Sequence, residues 1–354
     1  MEFGIAYPAR PGAWTDLVIA EEHGFTHAWF YDSQMIYSDV YVSMALAAEH
    51  TKTIKLATGV AIPSNRIAPV TAHSIATINL LAPGRVILGI GTGFTGRNTM
   101  GLPPVPLSTL RGYVEQCRAL LRGEEILYRD GSRERWIKFL HPDHGYINLK
   151  DPIPIYLAAN GPKALELTGE LADGWLTTLS DPDSFKKNCA RVDAGATKAG
   201  RSAADLPTVV LSTACVLRPG ESTTAPRVIE RVGPLAIVAL HALWERSAVG
   251  TDLPVSLRDL YNRYNAEYVA QLKTPADRRY LEVHEGHLIY LKPGEERYLN
   301  ETLIRSFSLT GTGEEIIARL KALEAVGLKQ VAIQVVKNGR EMIEEFSREV
   351  IAKY

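Results

Sequence analysis

The chain has 354 residues, of which 46% are hydrophobic, and its 39 basic residues against 40 acidic ones give a formal net charge of -1. This balance argues against the basic surface that nucleic acids and anionic membranes attract. The N-terminus runs directly into the apolar segment FGIAY without a basic leader or a long apolar stretch. We therefore expect a cytoplasmic protein with neither a signal peptide nor a membrane span.

Eight short apolar segments along the chain are typical of buried β-strands. They lie at residues 3–7, 27–32, 54–60, 85–91, 154–160, 174–179, 208–216 and 330–336. Helical spacing follows between them at residues 14–23, 39–50, 69–82, 107–122, 162–172, 182–199 and 313–326. Strands that are apolar throughout and alternate with helices indicate a parallel sheet covered on its outer side. The repeats predict an α/β fold, a closed (β/α)8 TIM barrel in one domain over residues 1–354, with a doubly wound open sheet as the alternative.

Two regions do not follow this alternation, residues 123–150 and residues 217–310. The first contains RWIKFLHPDHGY and the second LYNRYNAEYV, both rich in aromatic residues. We expect them to be insertions that act as lids over the C-terminal face of the barrel, with aromatic side chains that line a cavity there.

The stretch Gly91 to Gly96 has the glycine spacing of a dinucleotide-binding turn. That turn requires a helix immediately afterwards, whose N-terminus faces the pyrophosphate. Here Gly101 and prolines at 103, 104 and 106 follow, which predict a loop of roughly a dozen residues. A Rossmann site is therefore disfavoured. The backbone amides of the glycines remain free to bind an anion or a flat ring.

In a β/α barrel, the active site is formed where the strands end and the following loops begin. Asp32 and Ser33 follow the second predicted strand, so Asp32 binds a ligand or caps a turn. Gly161 and the amide of Lys163 begin a helix and form a candidate anion site. His73, on the helix after the third strand, is a candidate for the rim or a structural residue. No pairing of histidines and carboxylates has metal-ligand spacing, so no metal site is expected.

Four segments in order resemble the bacterial luciferase-like superfamily of flavin and deazaflavin oxidoreductases. They are AEEHGFTHAWFYDS, SDVYVSMALAAEHTKTIKLATGV, APVTAHSIATINLLAPGRVILGIGTG and GPKALELTGELADGW. Within the superfamily, the chain resembles most the methylenetetrahydromethanopterin reductase-like group, which uses the deazaflavin coenzyme F420. The likeness covers about residues 1–216 and returns at residues 309–336.

The resemblance implies a luciferase-like TIM barrel, usually a homodimer, with its cofactor at the C-terminal face. Asp32 and Ser33 would lie near the tricyclic ring, with His73 as a further catalytic candidate. The bond between Gly59 and Val60 corresponds to a non-proline cis peptide behind the ring. The cofactor's chain would contact Gly91, Thr92 and Gly93, and its phosphate would be surrounded by Asn160, Gly161, Pro162 and Lys163. Several relatives carry histidine where this chain has Ser33, which weakens the case for light emission or sugar-phosphate chemistry.

Three functions are consistent with this reading. The first is an F420-dependent oxidoreductase that transfers hydride between the deazaflavin and a small organic substrate, with Arg66, Arg97 and Lys163 offsetting the cofactor's negative charge. The second is a monooxygenase that uses reduced FMN and oxygen, with a flavin reductase as its partner. The third is a non-catalytic flavin-binding protein.

Overall fold

In the computed structural model, which describes residues 1–248 and 255–354, eight parallel strands close into a barrel. In chain order the strands are β1 (Glu2–Pro8), β2 (His27–Tyr31), β3 (Lys55–Thr58), β4 (Val86–Ile90), β5 (Ile126–Asp130), β6 (Arg133–Ile137), β7 (Ile155–Ala158), β8 (Gly174–Thr178), β9 (Thr208–Ser212), β10 (Ala214–Val216), β11 (Leu309–Gly311) and β12 (Gln330–Gln334). The barrel order is β1-β12-β9-β8-β7-β4-β3-β2. Because β1 pairs with both β2 and β12, the ring has no edge, so the TIM barrel is confirmed and the open sheet is wrong.

Helices cover the outside of this barrel. The α-helices of the described residues are α1 (Trp14–Glu22), α2 (Val40–His50), α3 (Ala68–Leu81), α4 (Phe94–Asn98), α5 (Leu107–Leu121), α6 (Pro162–Leu171), α7 (Pro182–Lys198), α8 (Pro226–Ala236), α9 (Val238–Ala248), α10 (Val255–Glu267), α11 (Arg279–Val283), α12 (Glu301–Phe307), α13 (Gly313–Glu324) and α14 (Gly339–Glu349). Short 3-10 helices lie at Pro11–Ala13, Val269–Gln271, Ala276–Arg278, Glu296–Tyr298 and Ile351–Lys353. None of the described helices combines the length and the apolar character needed to cross a membrane.

The barrel strands are apolar throughout because both of their faces are buried. Successive side chains of a strand point to opposite faces, so in β2 Trp29 enters the barrel interior while Phe30 packs beneath the helices. Every barrel strand supplies the interior cluster, which comprises Ala6, Trp29, Tyr31, Ala57, Ile87, Tyr156, Leu176, Val209 and Ala332. Inside, the Trp29 Nε1 donates to Gln330 Oε1 at 2.9 Å, which satisfies the one polar atom of this large ring.

Two local predictions need correction. The run at residues 208–216 is not one strand, because β9 leaves the barrel at Ser212 and β10 pairs instead with β11 in a separate two-stranded sheet. The predicted loop after the glycines begins with the short helix α4. Gly93 starts that helix in the left-handed region, with φ +82°, and Gly101 follows its end, so α4 stays at five residues.

The segment 123–150 packs on the outside of the barrel against α3 and α5 and returns to the N-terminal face, and it does not lie over the C-terminal face as predicted. It connects the end of α5 to the start of β7, and such connections lie where the strands begin. Asn148 holds it there, since its side chain donates to the backbone oxygen of Asn79 at 3.1 Å near the end of α3. Its β5–β6 hairpin leaves Trp136 69% exposed, so this aromatic residue lines no cavity.

The segment 217–310 crosses the C-terminal face, although its residues 249–254 lie outside the described part of the chain. The Tyr37 hydroxyl, beyond the end of β2, donates to the His287 carbonyl at 3.0 Å. Gln334, at the end of β12, donates to the Leu288 carbonyl at 2.8 Å. The segment also has its own core, in which the Tyr264 ring lies 5.4 Å from the Tyr268 ring. These tyrosines of LYNRYNAEYV therefore stabilise the segment itself, in place of the predicted cavity lining.

Candidate active site

Most of the predicted site residues lie at one end of the barrel. Asp32 follows β2, Gly59 and Val60 follow β3, Gly91 follows β4 and Asn160 follows β7. Because these strands are parallel, their carboxyl ends open at the same mouth. The structure thus brings together residues that are far apart in the sequence.

Asp32 is buried at this mouth and is held by an arginine. Its carboxylate accepts two hydrogen bonds from Arg66 Nη1, at 3.1 and 2.9 Å, while Arg66 Nη2 binds Asp39. Burial raises the pKa of Asp32, although Arg66 acts in the opposite direction. The next residue, Ser33, accepts the Tyr37 amide at 3.0 Å through its carbonyl and so begins the turn after β2. Arg66 is therefore engaged by two carboxylates, against the prediction that it offsets a cofactor's charge.

The glycines after β4 are required by close packing against the chain after β3. The Gly59–Val60 peptide is cis, as the resemblance implies. A Cβ at Gly91 would lie 2.6 Å from Val60 Cγ2, and one at Gly93 would lie 2.4 Å from Ile62 Cγ2. Side chains at these two positions would collide with the β3 loop. Packing thus explains the two glycines whether or not their amides also meet a ligand.

The start of α6 is an open cradle with helix amides at its base. No described atom lies within 4 Å of the position that a Cβ of Gly161 would take. Pro162 occupies the first helical position, and helix geometry leaves the amides of Lys163 and Ala164 without intrahelical acceptors. Beside them, Asn160 Oδ1 accepts from Thr177 Oγ1 at 2.7 Å, which fixes the side chain at the end of β8. This arrangement suits a phosphate group.

His73 lies apart from this mouth, so its prediction as a rim residue is wrong. It is on the exposed side of α3, and its ring lies 5.9 Å from the Phe139 ring in the segment on the outside of the barrel. The helix buries its opposite side, including Thr71 and Ile75, against the barrel. The sequence placed His73 at the rim only because it follows the third strand. The orientation of α3 instead turns this side chain outward.

Sequence reasoning missed a cluster of three buried histidines, His241, His284 and His287, in the segment over the mouth. One ring nitrogen from each lies within 4.8 Å of the others. Burial lowers the pKa of His241 and, more strongly, that of His287, which favours the neutral form of both rings. The available signal was His-x-x-His in VHEGH, with two histidines three residues apart. His287 Nε2 also lies 3.2 Å from Thr95 Oγ1 in α4, the short helix after β4.

Comparisons with known proteins agree along most of the chain. The family model described as luciferase-like monooxygenase matches residues 13–330. A 5,10-methylenetetrahydromethanopterin reductase of Archaeoglobus fulgidus is 30% identical over 340 residues, which cover 95% of this chain and 93% of that protein. A reductase of the same name from Methanolobus tindarius is 38% identical over 185 residues, 52% of this chain and 55% of that relative.

Two further proteins extend the likeness. An F420-dependent glucose-6-phosphate dehydrogenase of Microbacterium testaceum is 28% identical over 328 residues, which cover 86% of this chain and 91% of that one. The solved structure of a coenzyme F420 dependent tetrahydromethanopterin reductase from Methanopyrus kandleri superimposes with a TM-score of 0.75. It is 23% identical and covers 100% of this chain and 99% of its own, so it supports the fold.

Proposed function

The chain belongs to the luciferase-like monooxygenase family, and on that premise we propose that it is a coenzyme F420-dependent oxidoreductase acting on a small organic substrate. A relative that matches over 91% of its length is named as F420-dependent. When bound, F420 supplies a hydride, and a carbon at the reactive ring position suppresses its reaction with oxygen. The observation that carries the proposal is the anion cradle at the start of α6, which lies at the same mouth as Asp32.

The cradle fits the cofactor's phosphate in charge and in space. The amides of Lys163 and Ala164 donate to an anion, the positive end of the α6 dipole favours it, and the Lys163 ammonium adds a charge. Gly161 leaves the approach open. Asn160 keeps its amide nitrogen for the ligand, because its oxygen is engaged by Thr177.

The barrel mouth fits a flat ring. Val60, Ala158 and Leu211 are only partly buried at the strand ends and offer an apolar floor. Gly91 keeps the chain after β4 close to Val60, so this floor has no side chain projecting from that position. We propose that Asp32 and Ser33 flank the ring, with Thr92 and Gly93 beside the cofactor's chain.

Residues of the segment 217–310 contact the barrel at this mouth. Leu288 packs against the barrel's interior cluster together with Tyr37 and Val60. We propose that the segment acts as a lid that excludes water and selects a substrate small enough to fit beneath it.

A fluorescence titration of the purified protein with oxidised F420 and, separately, with FMN tests the proposal. We expect F420 to bind more tightly than FMN. Lys163→Ala should weaken F420 binding about 10-fold to 150-fold, because a charge-assisted contact contributes about 1.5–3 kcal/mol. The matched control is Lys186→Ala, an exposed lysine on the neighbouring helix α7, which should leave the affinity unchanged.

The outcomes separate the alternatives. Tight binding of FMN alone would replace the proposal by an oxygen-dependent monooxygenase that needs a flavin reductase. Equal affinity of the two lysine variants for F420 would show that the protein binds F420 but that the cofactor's phosphate does not lie at the start of α6. Binding of neither compound would refute the cofactor assignment.

We further propose that the protein is a homodimer, as the resemblance implies. Large apolar side chains are exposed on and beside α2 and α3 at Val42, Ile67, Val70, Leu80 and Leu81. Apolar residues that are exposed together mark a surface suited to another protein, here a second copy of the chain.

A further inference from the structure

Three buried histidines lie together in the segment over the barrel mouth, and the proposed F420 site does not account for them. His241 comes from α9, His284 directly follows α11, and His287 lies in the turn beyond it. Their exposed fractions are 2%, 4% and 2%, so all three rings are buried away from bulk solvent. An inference drawn from the positions of these three rings is independent of whether the protein binds F420.

The outward nitrogen of each ring has a partner. His241 Nε2 lies 3.0 Å from Glu295 Oε1, and His284 Nε2 lies 2.6 Å from Glu245 Oε1. A carboxylate can only accept, so both of these nitrogens carry the hydrogen. In a neutral imidazole, the Nδ1 atoms of His241 and His284 are then bare lone pairs.

The inward nitrogens lack partners. Nδ1 of His241, of His284 and of His287 has no hydrogen-bond partner among the described residues, although each is buried. Buried acceptors without a donor cost free energy unless a positively polarised group binds them, and one ring nitrogen of each histidine lies within 4.8 Å of the others. A water molecule can donate to two of the three nitrogens, whereas a metal ion accepts a lone pair from all three.

We propose that His241, His284 and His287 bind one divalent transition metal ion of the Zn²⁺ type through their Nδ1 atoms. Neutral imidazole nitrogens are preferred ligands of such ions, and three of them leave the fourth tetrahedral position for water or another ligand. The carboxylates of Glu245 and Glu295 complete the arrangement, because a ligating histidine commonly donates its other N–H to a carboxylate, which fixes the ring and raises its basicity.

The ion would fasten the lid segment to the barrel. Through His241 and His284 it links α9 to the chain after α11, and His287 reaches Thr95 in α4. The adjacent Leu288 carbonyl accepts from Gln334 at the end of β12. Metal binding therefore orders the part of the segment that lies directly over the mouth.

The test uses the full-length protein without an affinity tag. The protein is equilibrated with Zn²⁺, freed of unbound ion by dialysis and measured by mass spectrometry for metal content and by circular dichroism for folding. We expect about one ion per chain, and a thermal midpoint that rises with Zn²⁺. His284→Gln should lose the ion. The control His144→Gln, which replaces an exposed histidine beside His141 on the opposite face, should retain it.

Glu245→Gln gives a second, milder variant. It keeps an acceptor for His284 but removes the negative charge, so Zn²⁺ affinity should fall about 10-fold to 100-fold in a folded protein. Co²⁺ in place of Zn²⁺ should give visible absorption typical of nitrogen ligands in four-coordinate geometry, and His284→Gln should abolish it. The proposal is overturned if folded wild-type protein retains no Zn²⁺, or if His284→Gln retains as much as His144→Gln; retention of water alone would then explain the cluster.

Discussion

A single histidine at the N-terminal end of β2 has a strongly altered pKa. His27 is 3% exposed, its Nδ1 lies 2.8 Å from Thr26 Oγ1, and its ring lies 6.4 Å from the Trp29 ring. Burial lowers its pKa to about 3, with a smaller contribution from Lys55. Protonating His27 therefore costs much more free energy in the folded protein than in the unfolded chain.

This difference predicts a pH dependence of stability. Between the unfolded pKa of about 6.5 and the folded pKa of about 3, the unfolded state binds a proton that the folded state does not. The His27 contribution is therefore complete above pH 6.5 and is lost as the pH falls, by up to about 1.4 kcal/mol per pH unit. In urea unfolding from about pH 4 to about pH 8, which covers most of this window and the plateau above it, His27→Gln should flatten the acid side of the profile relative to wild type.

The comparison concerns the slope, because other groups titrate in both proteins. His144→Gln, which alters an exposed histidine, should keep the wild-type slope. An unchanged slope in His27→Gln would mean that this ring does not become protonated on unfolding in the range measured.

At the scale of elements, α6 and α7 approach each other more closely than side chains permit. A Cβ at Gly195 would lie 1.9 Å from the Glu166 carbonyl oxygen, and one at Gly169 would lie 1.9 Å from the Val192 carbonyl oxygen. Two glycines therefore let the helix backbones touch beside the cradle that begins α6. The position of that cradle depends on this contact.

Alanine substitution of two helical glycines should have opposite effects. Gly195→Ala should lower the free energy of unfolding by about 1–3 kcal/mol or more, because the backbones must separate. Gly112→Ala, in α5, meets no described atom within 4 Å and should raise it by up to about 1 kcal/mol through helix propensity. Chemical denaturation of the two variants measures both changes, and equal signs would contradict the contact between α6 and α7.

For the whole molecule, the lid segment and the proposed dimer surface involve different parts of the barrel. The proposed lid contacts the C-terminal mouth at His287 and Leu288, whereas the exposed apolar residues Val42 and Val70 belong to α2 and α3 on the barrel's side. Association through these helices would leave each mouth open to its own substrate.

Light scattering during size-exclusion chromatography tests the dimer. We expect a mass of about twice 38.9 kDa for the wild type and dissociation in Val70→Lys, since a charge buried at an apolar interface is costly. Leu140→Lys is the control, because Leu140 is 75% exposed in the segment at the N-terminal face. A wild-type mass of one chain would remove the dimer proposal.

Local patterns along the chain were sufficient for the barrel and for part of its site. Apolar runs and helical spacing predicted β1 to β4, the strands at residues 154–160 and 174–179, and the helix that begins at Pro162. These features depend on neighbouring residues, whose periodicity is visible in the sequence. The resemblance added the cis bond after Gly59, which no periodicity indicates.

Tertiary structure alone decided the features that depend on distant parts of the chain. Packing against α3 and α5 placed residues 123–150 on the outside of the barrel, and helix orientation turned His73 away from the mouth. Gly91 proved to be a packing requirement of Val60, which lies on another strand's loop. His241 and His284 meet only because α9 and the chain after α11 fold together over the barrel. Such proximity arises from packing between elements, and a linear pattern of residue types carries no information about it.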